Sequence, residues 1–277
     1  MLQILIFTLF PVIVRGWFCD GHMLVVALAR ASNIMSNATL TAADALISVL
    51  AQDYPSTGAT MIESACWADD LKAQGVAQEA NWHFIDLPIC RLPPPSACPP
   101  PQEDNVVWAI GSAHSTVYSK KASALDKARQ LRFILHFVGD VHQPLHAATY
   151  FSSQFPNGDR GGNSWNISGF PWTTELHALW DGGLGMWYGD LPRPLNATGT
   201  AWVSNFTASL AAEWPVSALG PEIANYNVSA WAMECAFSRF RKRATHARGR
   251  TTTRAQLTPP PSHTHTYTHT HTHARSL

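Results

Sequence analysis

His136 and Asp140 stand four residues apart in the run His136-Phe137-Val138-Gly139-Asp140-Val141-His142-Gln143-Pro144-Leu145-His146. On a helix that spacing turns both side chains to one face, and imidazole with carboxylate is a donor set that zinc accepts. Pro144 breaks such a helix and lets His146 serve a neighbouring position. His177 and Asp181 repeat the spacing in Glu175-Leu176-His177-Ala178-Leu179-Trp180-Asp181. Taken singly, either pair is explained at least as well by a satisfied core histidine or a surface ion pair. Asp69 (in Trp67-Ala68-Asp69-Asp70) and His83 (in Asn81-Trp82-His83-Phe84-Ile85-Asp86) sit among aromatics, where a hydrogen-bonded core residue is the commoner explanation. His22 alone is unremarkable.

Helical elements must position these side chains. The longest periodic stretch, Ser123 to His142, sets Leu125, Ala128, Leu131, Ile134, Leu135 and Val138 on one apolar face. Helical spacing also recurs from His22 to Ala31 and from Thr41 to Gln52, with Thr41 as the expected N-cap. Ala201 to Leu210 and Ala230 to Phe240 are further helices. Proline-rich Leu92 to Pro101 and glycine-rich Ser152 to Asn163 read as loops. No hairpin signals stand out, so the spacing predicts a single all-α domain from about Trp17 to about Phe240.

Length fits one domain with a substantial core, and charged residues make up only 14% of the 277. The formal charge of zero conceals an asymmetry. Eight Lys/Arg and no Asp/Glu follow from Arg239 onward, leaving 11 basic and 19 acidic residues, a net of −8, in the body. Such a body repels polyanions unless bound cations change its sign. Met1 to Gly16 reads as a secretory signal, an apolar run ending at Val14-Arg15-Gly16, although it lacks the usual positive start. A buried first helix is the alternative. Five N-x-[S/T] sequons (Asn37, Asn166, Asn196, Asn205, Asn227) fit a secreted glycoprotein. Five cysteines leave one unpaired; Cys90 and Cys98 flank the proline-rich loop and could close it, while the connectivity of Cys19, Cys66 and Cys235 stays open. Residues 241–277 are basic, then Thr/Pro/His-rich, a composition that buries no core. An in-frame CA repeat also encodes alternating His and Thr, so the segment reads as a solvated tail or a gene-model artefact.

In chain order, Trp17-x4-His22, Trp67-Ala68-Asp69, His83-Phe84-Ile85-Asp86, the His136 to His146 run and His177-x2-Trp180-Asp181 together resemble the zinc-dependent class I nucleases. These are the single-strand-specific nucleases and 3′-nucleotidases of the zinc phospholipase C/nuclease superfamily. Gly158-Asp159-Arg160-Gly161-Gly162-Asn163 and Trp231-Ala232-Met233-Glu234 also look like family segments, and the resemblance runs from Trp17 to about Glu234.

That resemblance implies an all-helical fold and three Zn2+. Asp69, His83 and His136 would hold the first, with Asp140 bridging to the second. His22 and the amino nitrogen and carbonyl oxygen of Trp17 would complete the second, which requires cleavage after Gly16. His146, His177 and Asp181 would hold the third. It also implies Asp86 as the residue that orients the attacking water or takes its proton, and Lys72 and Arg91 as phosphate contacts. Phe84 would stack a base, against a competing reading as core. Three zincs add +6, nearly cancelling −8. The expected activity is hydrolysis of phosphodiesters and 3′-phosphomonoesters in single-stranded DNA, RNA and nucleotides, leaving 5′-phosphates. The expected protein is a secreted or vacuolar monomer without a stable protein partner. A phospholipase C-like phosphoesterase on the same zincs, and a truncated inactive homologue, are the alternatives.

Overall fold

The computed structural model describes residues 17–55, 59–76, 78–187, 191–218 and 226–241. The expected leader, Met1 to Gly16, and the tail beyond Arg241 lie outside the described residues. Eight α-helices are found among the described residues: α1 (Cys19–Ala31), α2 (Asn37–Val49), α3 (Trp67–Ala73), α4 (Val106–Tyr118), α5 (Ala124–Val141), α6 (Leu176–Asp181), α7 (Ala197–Glu213) and α8 (Val228–Arg241). Short 3-10 turns at Glu63–Cys66, Ala80–His83 and Pro144–His146 connect some of them. No helix among the described residues is long and apolar enough to cross a membrane.

Central α5 starts where its sequence dictates. Ser123 Oγ accepts the Asp126 N–H at 3.1 Å as the N-cap. It packs along α4 and against α1, α2 and α3. Trp67, Val106, Ile110, Phe133 and Phe137 form the core under the site, and Val228 and Ala232 of α8 close it. Arg132, fully buried on α5, donates to Ser64 Oγ and to the Ile47 carbonyl, each at 2.9 Å, and so ties α2 to the Glu63–Cys66 turn.

Two strands escaped the reading by periodicity. β1 (Pro88–Cys90) and β2 (Thr149–Phe151) pair in parallel, with Pro88 opposite Thr149. Three residues are too few to show alternation. The pairing extends backward, for Ile85 N–H donates to the His146 carbonyl at 2.8 Å and so lays the His83 segment beside His146. α2 begins ahead of the expected Thr41. Ser36 is the N-cap, accepting from Thr39 N–H, because its hydroxyl meets that amide first. Cys90 pairs with Cys98 across the proline loop, Cys19 pairs with Cys66, and Cys235 is unpaired.

Candidate metal centre

α5 presents His136 and Asp140 on one face, as their spacing requires. His136 Nδ1 lies 2.6 Å from the Ala65 carbonyl. A carbonyl only accepts, so Nδ1 carries the proton and Nε2 keeps its lone pair. That Nε2 stands 3.2 Å from His83 Nδ1 and 3.3 Å from Asp140 Oδ2. His83 Nδ1 in turn lies 3.0 Å from Asp140 Oδ2 and 3.7 Å from Asp69 Oδ1. His22, on α1, stacks its ring on His136 with centroids 3.7 Å apart, and its Nε2 faces Asp140 Oδ1 at 3.3 Å. The third group lies next door: His146 from the turn after α5, with His177 and Asp181 at the two ends of α6.

The donor atoms of His22, His136 and Asp140, of Asp69, His83 and His136, and of His146, His177 and Asp181 each lie within 4.8 Å of one another. These three groups adjoin, since His136 belongs to two of them and His146 Nδ1 donates to the His83 carbonyl at 2.7 Å.

The chemistry of the donors fits divalent cations. His146 Nδ1 and His177 Nδ1 both donate to carbonyls, those of His83 and Gly161 (2.7 and 2.6 Å), so both Nε2 atoms carry lone pairs. Those two lone pairs face each other at 3.0 Å. A single proton or a shared cation suits such a contact. His22 Nδ1 is buried with no hydrogen-bond partner, and His22 Nε2 and Asp140 Oδ1 face each other at 3.3 Å without the alignment of a hydrogen bond, a state proteins avoid unless something else satisfies the atoms. Burial pushes the Asp181 carboxyl well above the carboxylate range, and the Gln143 hydrogen bond only partly offsets it. Burial pushes Asp140 the same way, but positive charge on the facing imidazoles, His136 first, outweighs it and holds the carboxyl well below that range; a bound cation would supply that charge with the rings neutral. Burial with the Lys72 charge lowers His83 to about 4, which favours the neutral, ligating imidazole.

Glycines make room for the rings. A Cβ on Gly139 would stand 2.7 Å from His22 Nδ1, and one on Gly161 (φ +61) would stand 2.2 Å from the Leu145 carbonyl. Asp159 holds the glycine loop by accepting from Tyr150 N–H and Trp165 Nε1–H, each at 2.8 Å. Trp17 donates its indole N–H to the Gly139 carbonyl at 2.9 Å, one residue from Asp140. Phe18 N–H donates to the Asp181 carbonyl at 3.0 Å. The segment that begins at Trp17 is thus pinned between two of the groups.

A cavity of about 180 Å³ opens beside His177, lined also by Phe84, Asp86, Leu145, Arg160 and Gly161. Phe84 and Asp86 therefore stand together next to the third group. Asp86 Oδ1 accepts from the Thr149 hydroxyl, and burial raises its pKa against the pull of that bond. Lys72 Nζ lies 2.9 Å from Asp69 Oδ1, which sets its charge against a carboxylate of the first group. Arg91 is exposed at the end of β1 and does not line the cavity. Arg160, at φ +59 in the Gly158 to Asn163 loop, does line it. Its place in the glycine-rich family segment was the signal in the sequence. His142 points elsewhere, its Nδ1 bonding the Val138 carbonyl at 2.7 Å.

Fold and site define a mostly helical protein built around three adjoining metal-ligand groups. The chain belongs to the S1/P1 nuclease family, whose sequence profile matches residues 17–255, past the Glu234 at which the motifs fade. It is 28% identical over 178 residues to Endonuclease 2 of Arabidopsis thaliana, covering 61% of this chain and 56% of that one. Nuclease P1 of Penicillium citrinum is 27% identical over 172 residues (60% and 57%). Nuclease S1 of Aspergillus oryzae is 27% identical over 173 residues (60% and 53%). The chain spans little more than half the length of the curated relatives it matches.

Proposed function

We propose that this chain is a zinc-dependent endonuclease and 3′-nucleotidase. It hydrolyses phosphodiester and 3′-phosphomonoester bonds of single-stranded DNA, RNA and nucleotides and leaves 5′-phosphate ends. The observation that carries the reading is the meeting of His146 Nε2 with His177 Nε2 at 3.0 Å, directly behind a cavity that His177 lines together with Phe84 and Asp86. Asp69, His83 and His136 would hold one zinc, with Asp140 between it and a second held by His22 and the Trp17 main chain. His146, His177 and Asp181 would hold the third. Zinc ions bound there supply Lewis acidity toward phosphate and lower the pKa of a water to near neutrality.

The protein's own groups do the rest. Phe84 offers a ring face to an unpaired base, and such stacking tolerates any base. Asp86, fixed at one oxygen by Thr149, turns its carboxylate to the same cavity to accept a proton or a hydrogen bond. Lys72 balances Asp69 and adds positive charge near the transferring phosphate, while Arg160 reaches the substrate more directly than Arg91. Ligation by the Trp17 amine requires release of residues 1–16, so this reading includes passage through the secretory pathway, N-glycosylation at sequons and a monomeric product.

The test is to express the full chain in a secreting eukaryotic host. Zinc content, the N-terminal residue and hydrolysis of single-stranded DNA and 3′-AMP would be measured on the same preparation. Three zincs, a Trp17 terminus and chelator-sensitive cleavage are expected. Folded protein with three zincs that leaves both substrates intact would sink the nuclease reading, and folded protein that takes up no zinc would sink the ligand assignment.

A further inference from the structure

The third group draws its ligands from two separate places, the 3-10 turn Pro144–His146 and the six-residue helix α6. Neither element is long enough to hold a side chain rigidly by itself. Between them lies Gln143, with no exposed surface. Its Nε2 donates to Asp181 Oδ1 at 2.6 Å, and its Oε1 accepts the Leu145 N–H at 2.5 Å. A backbone N–H only donates and a carboxylate only accepts, so these partners fix which end of the amide points where. The main chain of Gln143 is equally committed. Its N–H donates to the Asp140 carbonyl and its carbonyl accepts from His146 N–H, both at 2.9 Å.

We propose that Gln143 is the positioning residue of the third metal site, aiming Asp181 with one end of its amide and shaping the turn that carries His146 with the other. Holding Asp181 by Oδ1 leaves Oδ2 toward His177, whose Nε2 is 3.4 Å away. Only an amide offers a donor and an acceptor in this geometry. Glutamate would set a second carboxylate against Asp181, and methionine of similar length would bond neither partner. The side chain of Gln143 hydrogen-bonds Asp181 and Leu145 and none of the donor atoms of the other two groups, so its loss should be felt at one site of three.

The inference rests on the three-metal reading above, and the experiment separates the two. Wild-type full chain, Gln143→Glu and Gln143→Met are stripped with chelator and dialysed against buffered zinc. Bound zinc is then counted beside far-UV circular dichroism and, for any active variant, kcat and KM. We expect three zincs in the wild type. Both variants should keep two tightly, bind the third about 10–100-fold more weakly, as changes beside a ligand do, and retain helical content. If Gln143→Glu fails to fold, Gln143→Met, which adds no charge, carries the test. A wild type that saturates at two zincs overturns the three-metal reading and this inference with it. Three zincs at unchanged affinity in Gln143→Met overturns the inference alone. Equal weakening of all three sites also overturns it, since that is the mark of a general structural role.

Discussion

Replacing Gly139 with alanine sets two effects of comparable size against each other. Alanine is favoured over glycine inside a helix by about 0.8–1 kcal/mol, and Gly139 lies in the last turns of α5. Against that, the new Cβ would meet His22 Nδ1 at 2.7 Å and Cε1 at 3.1 Å. Ordinary contact requires a retreat of about 0.7 Å or more. His22 is fully buried, its ring lying at 17° to that of His136, so it cannot yield freely. Overpacking of this kind costs about 1–3 kcal/mol, so the helix gain cancels much of the loss and the net effect on stability is about 0–2 kcal/mol. The ligand geometry has no such compensation, because metal–donor distances tolerate only about 0.2 Å. The expected signature is therefore a modest fall in the melting temperature of the metal-free protein together with loss of one zinc of three. Zinc counting and calorimetry on metal-free and loaded protein read both. Full zinc content at wild-type affinity in Gly139→Ala would refute the reasoning, and with it the assignment of His22.

Three further outcomes follow from the same geometry. In Gly161→Ala the Cβ would press on a backbone carbonyl at positive φ and move the acceptor that orients His177; a loss of about 2 kcal/mol or more, roughly 4–8 °C in melting temperature, should accompany loss of the third zinc, and an unchanged calorimetric trace would contradict it. Burial raises the folded pKa of Asp86 above its unfolded value, so ionisation destabilises the fold once pH rises above the unfolded value. Asp86→Asn should therefore melt higher than wild type at pH 7, with the gap closing as pH falls below the ordinary carboxylate range while activity drops; a gap that widens in acid would reverse the sign of the argument. Thr207 keeps a buried hydroxyl without a partner, a state that costs about 1–3 kcal/mol. Thr207→Val should raise the melting temperature of protein freed of N-linked sugars, since the substitution also removes the Asn205 sequon; no rise in an equilibrium unfolding curve would mean the hydroxyl is satisfied.

Legibility followed the range of the interactions. α5 and the His136/Asp140 pair were readable because face and spacing lie within one helix, whose cap, Ser123, opens the same periodic stretch. The His177/Asp181 pair was readable for the same reason, although α6 is too short to show a period. α3 and α4 were missed for different reasons. The seven residues of α3 are held by the Cys19–Cys66 bond and by the Asp70 pair with Arg193, partners far away in sequence. α4 mixes β-branched, serine and glycine residues, yet Asn105, which caps it by accepting from Val107 and Trp108 N–H, was a signal in plain view. In the site, side-chain ligands could be matched by their neighbours in sequence. The carbonyls of Ala65, His83 and Gly161, which set the tautomer of three histidines, cannot be read from side-chain identity, because every residue has a carbonyl. Gln143 and Arg160 stood inside quoted segments, but their work appears only when distant elements close on them.

Cys19 and Cys66 each stand three residues before a proposed ligand, His22 and Asp69, and their bond spans 47 positions that all precede α5 in the chain. In a chain made from the N-terminus, this crosslink can form before His136 and Asp140 have been synthesised. It removes about 4 kcal/mol of loop entropy from the search and fixes one wall of the centre while the other is still to come. That order along the chain allows oxidation first, closure of α5 second and metal last. A chain made where thiols stay reduced would reach its metals with that wall unfixed. The compartment of synthesis would thus act as a checkpoint on when the centre becomes able to bind metal.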